Sequence, residues 1–464
     1  MAKKLWGGRF KKEIDSDFDR FQKSIHYDFN LAKYDIYHSK IHVEALEGAG
    51  ILTRAEADKI FSALNKILSD INKGEYVIDK DSEDIHTDIQ NKVAKNIGKL
   101  ALKLHALRSR NDQIVFDEKW YCYSEAMHLL EIVHDKLMVS LVSLRQKYKD
   151  QFMIGYTHTQ RAQVISFKDY IDAFYSMFAR DAKRLGNYLR ELFISVGSGA
   201  LAGSSISKDA YDKSIKLFLD DFEGDSQMST LATAANTLDN VSSRDFIIEF
   251  LSILSILQMH LSRIAEDFIM FSTKEFDFLD LPEEFCTGSS LMPHKKNPDF
   301  LELVRGYTGR VYGNLVSVLT TMKGIPFTYN RDMQLDKEPL FSSVEILKDE
   351  LNIFAKFLKG VNLNKQSLDK ALEDETLYAT EVAEFLVYKG VAFKDAHDIV
   401  GKLVRYLLDN NLKVKDVDDK TLRKFSVFFS KSELSKIMNP KYAVTSKKSF
   451  ARKLPKIKKV KGKV

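Results

Sequence analysis

Apolar residues recur three and four positions apart over long stretches of the chain. Phe246, Phe250, Leu254, Leu257, Leu261, Ile264, Phe268 and Phe271 form the clearest run. That spacing lays them along one stripe of a helix, in the heptad-like manner of helices packed in bundles. One helix over 242–273 would reach roughly 48 Å at about 1.5 Å per residue. Leu130, Val133, Leu137, Leu141, Leu144 and Tyr148 repeat the pattern, as do Tyr170, Phe174 and Met177 with Leu185 and Leu192. Leu303, Tyr307, Val311, Leu315 and Met322 make another run. The period-two alternation of a half-buried strand is hard to find. The pattern predicts an all-α protein built around a bundle of very long helices.

Proline placement agrees. The seven prolines lie at 282, 293, 298, 326, 339, 440 and 455. None precedes Pro282, so long helices can run unbroken there. Three regions follow. Residues 1–110 form an N-terminal domain of short helices, one opened by a capping box at Thr53–Glu56. Residues 111–365 hold the long helices. Residues 366–464 return to short helices, broken near Gly390, and end in a basic tail. The sequence shows no internal repeat.

Composition narrows the class. A chain of 464 residues suggests two or three domains. With 44% hydrophobic and 29% charged residues it matches ordinary globular proteins and excludes disordered or collagen-like classes. No stretch approaches about 18 uninterrupted apolar residues, so no membrane span is expected. Residues 1–8 lack the apolar core of a secretion signal. Cys122 and Cys286 are the only cysteines, too few for a disulfide framework. A cytoplasmic enzyme is the expectation. The net charge of +5 is misleading, because residues 447–464 carry eight Lys and one Arg without an acid. The body is therefore mildly acidic, and neither a nucleic-acid nor a membrane partner is expected. The tail reads as a solvated end whose deletion leaves activity unchanged.

Chemistry concentrates where the helices are interrupted. Leu104 to Gln113 crowds Arg108, Ser109, Arg110, Asn111 and Asp112 at the start of a long helix. Helix N-termini attract anions, and arginine adds bidentate carboxylate recognition; a plain polar cap by Ser109 or Asp112 is the equal alternative. Gly155 to Gln163 sets His158 between two threonines, and histidine is the usual acid or base near neutral pH. Without a partner, a structural histidine is the simpler reading. Thr287 to Asp299 combines Gly-Ser-Ser, two prolines, two lysines and an asparagine, a loop suited to closing over an anion. Tyr329 to Lys337 repeats polar groups at 329, 334 and 337; on spacing alone it is a charged helix connection. His38 and His42 share a helical face but lack a third ligand, so no metal site is expected. No glycine-rich phosphate loop is present, and no nucleotide cofactor is indicated.

Gly288-Ser289-Ser290-Leu291-Met292-Pro293-His294-Lys295-Lys296-Asn297-Pro298-Asp299 resembles the signature loop of the fumarase/aspartase superfamily, in its argininosuccinate lyase version. Leu5-Trp6-Gly7-Gly8-Arg9-Phe10, Arg108 to Gln113, Gly155 to His158 and Tyr329 to Lys337 are similar to the other motifs of that branch, in order, over about residues 1–440. The resemblance implies all-α homotetramers with a central long-helix bundle and active sites assembled from three subunits. It implies β-elimination of argininosuccinate to arginine and fumarate, with no metal or organic cofactor.

Residue by residue, the resemblance makes Ser289 and His158 the acid–base pair. Both assignments occur in the superfamily; we favour Ser289 as base and His158 as acid, directly or through water. Lys295 and loop N–H groups would activate the serine, and Glu302 would pair with His158 and raise its proton affinity. Asn111, Thr157 and Asn297 would hold the succinate carboxylates, and Ser24, Tyr329, Gln334 and Lys337 would complete substrate binding. Three positions depart from the pattern: His294 replaces a usual Gln, Gln90 a usual Glu, and Ser446-Lys447-Lys448-Ser449 a Gly-Gly-Thr-Ala-like stretch. A sibling such as adenylosuccinate lyase or aspartase fits the paired lysines, Asn111-Asp112 and Trp6-Gly7-Gly8 less well. Lens crystallins share the fold without the chemistry; the retained Ser289, His158 and Lys295 argue against that reading.

Overall fold

The computed structural model describes residues 12–222 and 231–449. The N-terminal motif at residues 5–10 and most of the basic tail lie outside them. Local signals place the helix starts. Thr53 Oγ1 accepts from the Glu56 N–H at 3.3 Å while Glu56 Oε2 accepts from the Thr53 N–H at 3.0 Å, the reciprocal capping box expected there. Ser109, not Asp112, caps the helix that begins at Arg110, accepting from the Asn111 N–H at 3.3 Å. The first region holds α1 (Ser16–Gln22), α2 (Ala32–Gly48), α3 (Arg54–Asn72) and α4 (Ile85–Ile97).

Next come α5 (Arg110–Glu131), a π turn over Ile132–Leu137, α6 (Met138–Lys147) and α7 (Phe167–Glu191). They are followed by α8 (Lys208–Asp221), α9 (Thr237–Ser242), α10 (Asp245–Phe271), α11 (Asp299–Met322) and α12 (Lys337–Gly360). The chain ends in α13 (Lys365–Ala371), α14 (Ala379–Tyr388), α15 (Phe393–Asp409), α16 (Asp419–Phe425), α17 (Lys431–Ile437) and α18 (Pro440–Thr445). The stripe from Phe246 to Phe271 is buried, as the spacing predicts, against α7, α11 and α12. Among the described residues α10 alone is long and apolar enough to cross a membrane, yet most of its apolar surface lies inside the protein. The helix bundle expected from the pattern is present.

Strands occur where none was expected. β1 (Phe152–Thr157) and β2 (Gln160–Ser166) form an antiparallel hairpin with an irregularity between Gly155 and Tyr156. β3 (Ile194–Val196) and β4 (Leu231–Thr233) pair in parallel. β5 (Leu279–Asp280) pairs with β8 (Asn362–Leu363), and β6 (Thr287–Gly288) with β7 (Lys296–Asn297). Most are too short to show alternation, and in the seven-residue β2, Gln160–Ser166, polar and apolar residues do not alternate along its length.

The main core takes in most of the chain up to Tyr378, together with Ala443 and Val444. A separate core, running from Val382 to Ile437, fills the C-terminal helices. One expectation for the tail needs correction. Lys447 pairs with Glu381 at 3.0 Å and Glu384 at 2.6 Å, and the Glu381 side chain is 1% exposed. The first residue of the supposed solvated end is therefore a structural contact, because a buried carboxylate needs a cation.

Candidate active site

Four segments far apart in sequence converge on a cavity of about 110 Å³. They are the turn before α2, the start of α4, the start of α5 and the Tyr329–Lys337 segment. Ser24, Asn111, Tyr329, Gln334 and Lys337 all line it, with Asp28, His86, Arg110 and Arg331. The walls are tied together. Gln334 Nε2 donates to the Gln22 carbonyl at 3.0 Å, and Arg331 to the same carbonyl at 2.9 Å and to Glu83 at 3.2 Å. Arg110 Nε meets Asp84 at 3.1 Å, and Asn111 Nδ2 donates to the Ala200 carbonyl at 3.0 Å. Ser24 Oγ donates to Asp28 Oδ2.

Beneath the cavity lies a buried charge cluster. Lys337, 2% exposed, faces Glu118 at 3.6 Å and Asp336 at 3.7 Å. Arg244, fully buried, meets Glu118 at 3.1 Å and also bonds Asp336. Burial works against the ammonium of Lys337, but Asp336, Glu118 and Asp28 outweigh it and hold its pKa above the usual lysine range. Lys337 is thus a permanent cation in the cavity wall, suited to a carboxylate. Burial pushes Asp28 upward, with Lys337 and Ser24 opposing.

The second element is the hairpin turn. Thr157 ends β1, and His158 and Thr159 form the two-residue connection, at φ of 54° and 58°. Positive φ at both positions is what a type I′ two-residue hairpin turn requires. Neither residue is glycine, so the turn is strained. All three side chains are exposed. Tyr156 anchors the turn by packing on Phe271 and Phe276 at the C-terminal end of α10.

The third is the serine loop. β6 and β7 close it at its base, and Thr287 Oγ1 donates to Asp299 at 2.5 Å. Ser289 Oγ accepts the N–H groups of Met292 at 3.0 Å and Leu291 at 3.3 Å. Donors aimed at the hydroxyl oxygen favour its alkoxide. Lys296 is tethered to Asp280 at 3.0 Å, while Lys295 is exposed and without an ion-pair partner among the described residues. Asn297 Nδ2 donates to the Gly288 carbonyl at 3.4 Å. Glu302 is exposed on the first turn of α11.

The cavity and the serine loop do not meet within one chain. The serine loop precedes α11 and Tyr329 follows it, and α11 has 24 residues, roughly 36 Å at about 1.5 Å each. The hairpin turn shares the serine-loop end. No hydrogen bond or ion pair among the described residues joins Glu302, His158 and Ser289.

A family model described as lyase matches residues 8–313, and one described as argininosuccinate lyase C-terminal matches residues 376–445. An argininosuccinate lyase of Caldanaerobacter subterraneus is 43% identical over 424 residues, covering 91% of this chain and 93% of its own. One of Clostridium kluyveri is 43% identical, covering 92% and 94%. The chain belongs to the argininosuccinate lyase family. Solved structures show the same fold at lower identity. An EDDS lyase with bound fumarate aligns at a TM-score of 0.77 and 22% identity, covering 94% of this chain and 86% of its own. A class II fumarase from Schistosoma mansoni aligns at 0.75 and 15%, covering 91% and 93%.

This family member also buries polar residues that its motifs did not single out. Asp35 Oδ1 accepts from His86 Nδ1 at 2.9 Å and from Gln113 Nε2 at 2.7 Å, and Asp117 lies 3.4 Å from the same imidazole nitrogen. Asp35, His86 and Asp117 are the one group of metal-ligand type among the described residues. His86 Nδ1 is hydrogen-bonded to Asp35 alone, while both Asp117 oxygens and His86 Nε2 are buried without a hydrogen-bond partner among the described residues. Burial opposes the Asp35 carboxylate, but His86 and then Arg108 hold its pKa below the usual range. Asp35, His86 and Asp117 sit on three separate helices, and no spacing in the sequence ties them together. His38 and His42 are buried on α2, as a structural role requires.

Proposed function

We propose that this lyase cleaves argininosuccinate to arginine and fumarate at sites assembled between copies of the chain. The observation that carries the reading is the convergence of Ser24, Asn111, Tyr329, Gln334 and Lys337 on one cavity. In an assembled site that cavity faces the His158 turn of a second copy and the serine loop of a third. Supporting the assembly, α11 leaves Leu303, Val316 and Leu319 exposed at 58%, 58% and 44%. Apolar stripes of that extent call for a protein partner. The reading includes a cytoplasmic homotetramer that needs no metal or organic cofactor and engages neither nucleic acid nor membrane.

In this mechanism Ser289 Oγ, as the alkoxide favoured by two loop N–H groups and the Lys295 ammonium, takes the proton from the carbon beside a succinate carboxylate and becomes the neutral hydroxyl. The electron pair spreads onto that carboxylate, where the Lys295 ammonium neutralises it. One preorganised donor of this kind contributes about 2.7–4 kcal/mol in the transition state. The pair then forms the carbon–carbon double bond as the carbon–nitrogen bond breaks. His158, oriented by Glu302 of a neighbouring copy, delivers a proton to the departing guanidinium nitrogen. Asn111, Thr157 and Asn297 hold the carboxylates, and Ser24, Tyr329, Gln334 and Lys337 hold the remainder. Purified protein mixed with argininosuccinate should raise ultraviolet absorbance as fumarate forms. A flat trace would favour a non-catalytic structural protein of the same fold.

A further inference from the structure

The His158–Thr159 turn raises a question of support. A left-handed residue that is not glycine costs roughly 1–2 kcal/mol, and a β-branched threonine there is an outlier. Such conformations persist only where the surroundings enforce them. The hairpin is tied to the C-terminal segments at two points near its tip. Arg161 meets Asp374 at 3.1 Å, both partly exposed. Gln163 Nε2 donates to Glu381 Oε1 at 3.4 Å. Gln163 stands opposite Gly155, at the edge of the irregularity that leads into Tyr156, Thr157 and the turn. Space there is tight: a Cβ on Gly155 would lie 3.2 Å from the Gln163 carbonyl.

The Glu381 carboxylate is almost completely buried, and Lys447 brings its ammonium to the same oxygen at 3.0 Å. Glu384 holds that ammonium from the other side. α18, just before Lys447, packs on β2. Lys447 also lies in the stretch where the family resemblance leads one to expect Gly-Gly-Thr-Ala, and a glycine could offer no cation.

We propose that Lys447 is a positioning residue: through Glu381 and Gln163 it fixes the hairpin turn that presents His158. This rests on the reading of His158 as the acid. Without the ammonium, Glu381 is an uncompensated buried carboxylate that must take a proton or move toward water. Either change loosens its hold on Gln163 and lets the strained turn relax.

The test uses full-length enzyme. Lys447→Met should lower kcat about tenfold, in line with sub-ångström misplacement of a reacting group. KM should hold within about twofold, because the cavity lies at the other end of α11. Lys447→Arg should restore most of the loss. Gln163→Leu should cause the same fall, and adding it to Lys447→Met should lower kcat no further, since both cut one line of contacts. Lys402→Met, which removes an exposed pair with Asp398, should leave kcat unchanged. Wild-type kcat in Lys447→Met, or additive losses in the double variant, would overturn the proposal. Should Lys447→Met fail to fold, Gln163→Leu decides alone, and wild-type kcat there overturns it. His158→Gln separates the two layers: if it retains full turnover the site reading fails, whereas an inactive His158→Gln beside an unaffected Lys447→Met sinks only the role of Lys447.

Discussion

The two lysines of the signature loop are adjacent, yet they do different work. Lys296 is anchored to Asp280, while Lys295 is free to meet a substrate. Lys295→Met should lower kcat by about 10²–10³ at near-constant melting temperature. Lys296→Met should act mainly on loop stability and so on KM. Equal effects of the two on kcat would show that the loop does not sort them this way. Ser289→Ala should bring turnover to background while assembly and melting temperature hold, measured by fumarate absorbance and size-exclusion chromatography. Residue types alone made the serine loop legible as a candidate anion site, whereas Ser24, Tyr329, Gln334 and Lys337 were legible only through the family resemblance. The distinction between Lys295 and Lys296 was not legible, since it depends on where Asp280 folds back. The buried Asp35–His86–Asp117 group was equally hidden, being three ordinary residues on three helices.

Long helices were readable because a three- and four-residue stripe needs several turns to register, and α7, α10 and α11 each supply at least 24 residues. The β1–β2 hairpin was not. Its first strand, Phe152 to Thr157, is a short apolar run that periodicity cannot separate from buried helix. Its turn lacks the Asn-Gly or Asp-Gly signal of a relaxed hairpin. Packing between helices also sets a pH response. Glu350 on α12 accepts from Gln258 Nε2 at 2.7 Å in the core, and burial pushes its pKa to about 8. The folded pKa lies above the unfolded one, so the fold favours the protonated carboxyl. Stability is then fully present below the unfolded pKa near 4.5 and is lost as pH rises through about 8. Each unit corresponds to about 1.4 kcal/mol. Glu350→Gln should therefore flatten the fall in melting temperature between about pH 5 and 9. An unchanged slope would remove Glu350 as the cause.

At the scale of the whole molecule, one chain carries every expected group but keeps them at opposite ends of α11. Sequence motifs in correct order could announce the chemistry without showing that separation. The tail divides at the scale of a few residues: removing 450–464 should leave turnover unchanged, while a cut before Lys447 should lower it. The most direct test of a shared site mixes two inactive variants, Ser289→Ala and Lys337→Met, after dissociation and reassembly. In mixed tetramers about a quarter of the sites would draw both intact residues from different copies. Fumarate production recovering to about that fraction of the wild-type rate is the expected result. A mixture as inactive as either parent, with mixed tetramers demonstrably formed, would contradict a site built between copies.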